Sequence, residues 1–216
     1  MRPYLAEFIG TFGLVFAGCG AIVIDDVTGG RVTHVGIGLT FGLVIAAMVY
    51  ATGHLSGAHL NPAVSLAFAL TRHFPRRDLL PYWIAQLAGA VAAGAVLRLL
   101  FGPAASLGAT LPRGPAWQSL VLEGLLTFFL MFVIMAMATD ARAVGQSAAL
   151  AIGATVGLEA LFAGPISGAS MNPARSFGPA LVSGAFAHHW VYWAGPCVGA
   201  LLGALSYEGL RGSCLA

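Results

Sequence analysis

Apolar residues run along this chain in long blocks, and the polar residues that interrupt them recur in order. Apolar segments lie at about 4–24, 34–52, 82–102, 117–138, 146–163 and 189–209, separated by glycine, proline and charged residues. Each is close to the ~20 residues that an α-helix needs to cross a hydrocarbon core of ~30 Å at about 1.5 Å per residue. Six spanning helices are predicted. Between the second and third lies 53–72, and between the fifth and sixth lies 164–184. Each of these has an apolar run of only ~10 residues after a proline, enough for half a membrane, ~15 Å. Two half-helices placed end to end make about one further span.

The order span, span, half-helix, span occurs twice. Ala6-Glu7-Phe8-Ile9-Gly10-Thr11-Phe12 in the first span is echoed by Leu122-Glu123-Gly124-Leu125-Leu126-Thr127-Phe128 in the fourth. Trp83, Gly89 and Ala93 match Trp193, Gly199 and Gly203 at an offset of 110. Residues 1–102 and 117–209 therefore read as internal repeats joined by a Gly-, Pro- and Ala-rich linker at 103–116, within a single transmembrane domain covering 1–216. Three spans per repeat is an odd number, so the second repeat enters the bilayer inverted. Small residues spaced by four, Ala85-Gly89-Ala93 and Gly195-Gly199-Gly203, would let helix backbones approach closely in lipid.

Composition agrees with a bilayer environment. The chain is 58% hydrophobic and 8% charged, with a mean hydropathy of +0.86, against roughly 25% charged residues in a soluble domain. The formal charge of +2 comes from ten arginines and no lysine, mostly scattered, which gives no nucleic-acid footprint. Cys19, Cys197 and Cys214 have neither metal-ligand spacing nor an even disulfide framework and read as packing residues. Arg2 followed by apolar residues up to Cys19 resembles a weak lipoprotein signal, but the internal twin of this segment marks it as part of the structure. Arg2, Arg72, Arg76, Arg77, Arg142 and Arg211 on one side, against Arg31, Arg98 and Arg113 on the other, put both termini in the cytoplasm. The absence of lysine and the short termini fit a bacterial inner (plasma) membrane.

Only two asparagines occur, Asn61 and Asn172, each inside the string Ser-Gly-Ala-X-X-Asn-Pro-Ala, 111 positions apart (172 − 61). Asparagine is a favoured N-cap and proline a favoured first helical residue, so Asn61-Pro62-Ala63 and Asn172-Pro173-Ala174 read as helix starts. The residues before them, Gly57, Ala58, His59 and Leu60, and Gly168 to Met171 including Ser170, are non-helical in this reading. Irregular backbone at membrane depth is tolerated only when buried in protein or lining a watery path. A pore gives it a use: carbonyl acceptors, two carboxamide donors at the midplane, then more carbonyls. Both half-helix N-termini face the pore centre, each with about half a positive charge, and oppose cations and proton-carrying water. Arg175 adds a full charge beside the path, and an intramembrane arginine is functional by default.

The two strings, together with the Glu-X-X-X-Thr-Phe echo, closely resemble the aquaporins, the major intrinsic protein family, over essentially the whole chain. The resemblance implies an all-α membrane protein of six transmembrane helices plus two half-helices, an aquaporin-like hourglass with its own pore, assembled as a homotetramer. It implies an outer filter that maps onto Phe41, Ala160, Ala169 and Arg175, with Glu7 and Glu123 bracing the loops. Strict water channels of the family carry histidine at the position of Ala160. The alanine, with Ala169 and the approach Ala163-Gly164-Pro165-Ile166-Ser167, resembles the nodulin-type intrinsic proteins and their bacterial relatives. A passive channel is therefore expected for water and small uncharged solutes such as glycerol, urea and neutral arsenite, boric or silicic acid, excluding protons and ions.

Glu159 adjoins Ala160, and neighbours on a helix differ by ~100°, so both cannot face the pore. The histidines, His34, His54, His59, His73, His188 and His189, form no metal set with carboxylates at ligand spacing. With no nucleophile beside a base and no cofactor loop, no enzyme, cofactor or metal is expected. A strict water channel and an ion-coupled secondary transporter, which also uses inverted repeats and broken helices, are the competing readings.

Overall fold

The computed structural model describes residues 1–140 and 147–212. Arg142, counted above toward orientation, and Cys214 lie outside the described residues. Eight α-helices and no strand occur among the described residues: α1 (Arg2–Val27), α2 (Thr33–Ser56), α3 (Pro62–Leu70), α4 (Leu79–Phe101), α5 (Ala116–Thr139), α6 (Ala148–Ser167), α7 (Pro173–Ser183) and α8 (Val191–Arg211). A short 3₁₀ turn covers Arg76–Asp78, and Ala104–Gly108 forms a tight turn whose inner residues have left-handed backbone. Five long helices, α1, α2, α4 with its preceding turn, α5 and α6, are long and apolar enough to cross a membrane. The 21-residue α8 reaches the length, but its glycines, Pro196 and Glu208 dilute its apolar content.

The polarity is inverted relative to a water-soluble fold. Glu7, Thr11, Gln86, Glu123, Thr127 and Arg175 are buried, whereas Leu5, Leu43, Ile84, Leu125, Phe129, Leu158 and Leu202 stand on the outside. Such a surface is at ease only against hydrocarbon, where no hydrophobic force drives helices together and close packing must do so.

That packing is paired. The α1–α4 contact mirrors α5–α8, α1–α2 mirrors α5–α6, and α2 meets α6 across the centre. Each half-helix leans mainly on the last span of the other repeat, α3 on α8 and α7 on α4. Small residues permit it. A Cβ on Gly195, Gly199 or Gly203 would lie 2.9, 2.0 or 2.3 Å from the backbone oxygens of Leu120, Gly124 and Phe128, and one on Gly89 would lie 2.4 Å from that of Phe8. The predicted ladders thus face α5 and α1. Gly42 against Gly153 and Gly157 forms a third close approach, between α2 and α6.

The fifth span runs further than its sequence suggests. The apolar reading stops near Gly164-Pro165, yet α6 continues to Ser167 with Pro165 in its last turn. Proline lacks the N–H that would bond to the carbonyl four residues back. That carbonyl, of Leu161, instead accepts a hydrogen bond from His34 Nε2 at 2.6 Å.

One end of the bundle gathers the N-terminus, the turn after α3 and the ends of α5 and α8. Tyr4 donates to Asp78 at 3.1 Å, His73 meets Glu208 at 2.6 Å, and Arg211 donates to the Thr139 carbonyl at 2.9 Å. Arg2, Arg72, Arg76, Arg77 and Arg211 therefore share a face. Cys19 is buried and Cys197 half-buried, both as free thiols.

The close approach of α8 to α5 makes a sharp test. Gly199→Val forces a branched side chain into the Gly124 backbone and should destabilise the protein by about 1–3 kcal/mol, as overpacking does. Gly209→Val on the same helix meets nothing within 4 Å and should be neutral. Thermal unfolding of the two variants in detergent reads the difference, and equal midpoints would contradict the packing.

Candidate pore and its supporting loops

Both loops take the same backbone path. Gly57 and Gly168 end α2 and α6 in the left-handed region, at φ 83° and 86°. Ala58 and Leu60 follow at φ 47° and 50°, and Ala169 and Met171 at φ 41° and 54°. Left-handed backbone costs a non-glycine residue roughly 1–2 kcal/mol, so each loop must be held from outside.

Glu7 and Glu123 hold them. The Glu7 carboxylate accepts from the Ser56 hydroxyl at 2.7 Å, His59 N–H at 3.0 Å, Leu60 N–H at 2.7 Å and the Gln86 amide at 2.8 Å. Glu123 accepts from the Ser167 hydroxyl at 2.7 Å, Ser170 N–H at 2.9 Å and Met171 N–H at 2.7 Å. Both side chains are fully buried. Tyr82 and Tyr192 complete the frame by donating to the Ser56 and Ser167 carbonyls, each at 2.8 Å.

Asn61 and Asn172 then open α3 and α7. The Asn61 Oδ1 accepts from Ala63 N–H at 2.9 Å, and the Asn172 Oδ1 accepts from Ala174 and Arg175 N–H at 3.0 and 3.2 Å. Each carboxamide also reaches across the centre: Asn61 Nδ2 donates to the Met171 carbonyl and Asn172 Nδ2 to the Leu60 carbonyl, both at 2.8 Å. This corrects the sequence reading in one respect. One hydrogen of each amide locks the opposite loop, leaving the other for the path, and the Leu60 carbonyl is already an acceptor within the protein. Pro62, Ala63, Pro173 and Ala174 are buried where the two helix starts meet.

A cavity runs from Phe68 and Ala138 at one end to Phe41, Ala169 and Arg175 at the other, past Leu60, Asn61, Met171 and Asn172. Gly57, Ala58, His59 and Ser170 also line it, whereas Gly168 packs against Thr110 and does not. Among the described residues, no hydrogen bond uses the carbonyls of residues 57–59 or 168–170. The opposite wall is apolar, with Leu130 and Ile134 of α5 and Ile152 and Val156 of α6.

At the end of the cavity lined by Phe41 and Ala169, Arg175 is 2% exposed. Its guanidinium donates to the Gly108 carbonyl at 2.8 Å and lies 5.0 Å from the centre of the Phe41 ring. Gly108 closes a left-handed run that includes Ala105, Ser106 and Leu107, at φ 45°, 48° and 58°. Thr110 ties this segment to Ser176 at 2.7 Å. Ala160 is buried in the same apolar cluster as Phe41 and Ala169 but is not among the residues that line the cavity.

Sequence reading missed Gly108, Thr110, Ser176 and Gln86. Their signal was weak, because three lie in the linker or past the motif and Gln86 has no polar counterpart in the second repeat. The Tyr82–Tyr192 match, one residue before the tryptophans, was available.

Known proteins resemble this chain throughout. The model of the major intrinsic protein family matches residues 1–207. Aquaporin NIP1-3 of Oryza sativa subsp. japonica is 54% identical over 211 residues, 97% of this chain and 74% of the relative. Aquaporin NIP1-1 of Zea mays is 54% identical over 212 residues, 98% and 75% of the two chains. The X-ray structure of the aquaglyceroporin from Plasmodium falciparum superposes with a TM-score of 0.87 at 26% identity, over 98% of this chain and 96% of that one.

Removing a brace should be severe. Glu7→Leu leaves four donors unpaired and Glu123→Leu three, at about 1–3 kcal/mol each, against a total stability of roughly 5–15 kcal/mol. Neither variant should yield monodisperse protein after detergent extraction. A variant with wild-type yield and thermal midpoint would show that the loops hold without the carboxylates.

Proposed function

The chain belongs to the major intrinsic protein family and is an integral membrane channel that passes water and small solutes passively, not an enzyme; from that premise we propose how its path selects. The range includes glycerol, urea and neutral metalloid acids, and excludes protons and ions. The observation that carries this reading is the meeting of Phe41, Ala169 and Arg175 at one end of the cavity, with Ala160 of α6 buried in the same apolar cluster as Phe41 and Ala169. In this proposal that end is the filter, and alanine takes the position where a histidine would narrow it and add a polar group.

Phe41, Ala160, Ala169 and Arg175 form the filter in this proposal. Arg175, Asn61 and Asn172 present donors on one side, and Leu130, Ile134, Ile152 and Val156 present an apolar wall on the other. A solute with hydroxyls on one edge and carbon on the other keeps hydrogen bonds along its passage while its apolar edge loses water. Carbonyls of Gly57, Ala58, His59 and Ser170 accept from it. A cation meets Arg175 and two helix N-termini, each with about half a positive charge, and is repelled. Water chains are broken where the asparagine amides donate.

The whole chain is proposed as one channel domain of inverted repeats, 1–102 and 117–209. The mirrored helix contacts and the duplicated brace, cap and cross-loop bonds support this. The arginine-bearing face is assigned to the cytoplasm together with both termini. A homotetramer follows the resemblance and suits the broad apolar exterior. The relatives from rice and maize lend no support to the bacterial inner membrane expected above.

Swelling of proteoliposomes tests the solute range. Glycerol and urea should enter at rates well above protein-free lipid. Ala160→His should cut glycerol flux by about tenfold or more, equivalent to ~1.4 kcal/mol of added barrier, and leave water flux within a few-fold. Wild-type protein that conducts water but excludes glycerol, urea and undissociated metalloid acids would establish the strict water channel instead.

A further inference from the structure

Glu159 has no part in the brace, the caps or the filter described above. It is 3% exposed, its Oε2 has no hydrogen-bond partner, and it enters no salt bridge among the described residues. Glu7 and Glu123 make a telling comparison, since each is buried with three or four donors around its carboxylate. The charged group that acts electrostatically on Glu159 is Glu123, of like sign. A buried polar group left without partners is costly, so its retention calls for a use.

Position supplies one. Ile152 and Val156 mark the direction from α6 into the cavity. At about 100° per residue, Glu159 falls about 40° to one side of that direction and Ala160 about 60° to the other. Gly153 and Gly157 face α2, so Ala160 turns toward α2 and Glu159 toward the α5 seam. Glu159 lies nearly one turn beyond Val156, toward the end of the cavity that holds Arg175, and like Ala160 it is not itself among the residues that line the cavity. On α5, Ser119 Oγ is also buried without a partner, whereas the threonines of these two helices are taken. Thr127 and Thr155 donate back to their own helices, to Glu123 and Ala151 carbonyls at 2.7 and 2.9 Å. Arg175 on the far side gives Nη1 to Gly108 and lies over the Phe41 ring, while its Nε has no partner within the protein.

We propose that Glu159 is a specificity-determining residue of this channel, hydrogen-bonding a polyhydroxylated neutral solute on the wall opposite Arg175 as it passes the constriction. An ionised carboxylate without donor or cation is strongly disfavoured at this burial, so the side chain serves as a neutral carboxyl, donor and acceptor at once. A solute with hydroxyls on two edges then keeps a partner on both sides, where Ala160 alone would leave it only carbon. This rests on the neutral-solute reading given above.

Glu159→Leu fills similar volume without polarity, and Glu159→Gln restores a neutral donor and acceptor. Stopped-flow light scattering of proteoliposomes measures glycerol and water flux, and unfolding in detergent gives the thermal midpoint. Glu159→Leu should lower glycerol flux about tenfold, as loss of ~1.4 kcal/mol at the barrier does, while its midpoint holds or rises. Glu159→Gln should recover most of that flux. Undiminished glycerol flux in the leucine variant would overturn the proposal, as would a midpoint that falls together with flux, which is the mark of a brace. If wild-type protein passes water but no glycerol, the solute range fails, and the same ordering of variants in water flux still decides whether Glu159 faces the path.

Discussion

Two reciprocal hydrogen bonds, from Asn61 to the Met171 carbonyl and from Asn172 to the Leu60 carbonyl, both at 2.8 Å, join the halves of this protein at its centre. They answer a constraint that lipid imposes, namely that non-helical backbone at membrane depth must find partners inside the protein. Each loop supplies the acceptor that the other loop's asparagine needs. Neither half-helix can therefore be placed without its twin. The left-handed residues before each asparagine, the buried Glu7 and Glu123, and the tyrosines that fix Ser56 and Ser167 all hold these two bonds in register.

Once that centre is fixed, the rest of the fold has little freedom. Each half-helix packs on the last span of the other repeat, and the long helices meet through glycine so that backbones touch. The exterior is left to apolar side chains and the interior to polar ones. The result is a path with donors and carbonyls along one side and hydrocarbon along the other. Passive movement of water and small solutes fits that lining, and in the proposed reading Arg175 and the two helix starts repel cations.

Much of this was legible in the chain. Hydrophobic blocks located every helix, because a membrane forces apolar runs to a set length. The doubled Asn-Pro-Ala located the helix starts and the duplicated site, since capping chemistry is local and survives in sequence. Long-range pairing was not legible. Nothing in Asn61 alone says that one amide hydrogen leaves the path to bond Met171, and nothing in His34 says that it caps the carbonyl freed by Pro165, 127 positions away from Leu161. The exchange of half-helices between repeats and the left-handed segment that aims Gly108 at Arg175 are likewise products of packing. The end of α6 was misjudged for a related reason, because proline inside a last turn is tolerated when another residue takes the orphaned carbonyl.

The central claim is a continuous path through which neutral solutes move down their own gradient and ions do not move at all. Glycerol and proton flux measured in the same proteoliposomes, under an imposed potassium diffusion potential, tests it most directly. Glycerol flux should rise linearly with concentration and ignore the potential, while proton flux stays at the level of protein-free lipid. Saturating, potential-dependent glycerol flux accompanied by protons would mean a coupled carrier and would contradict the account.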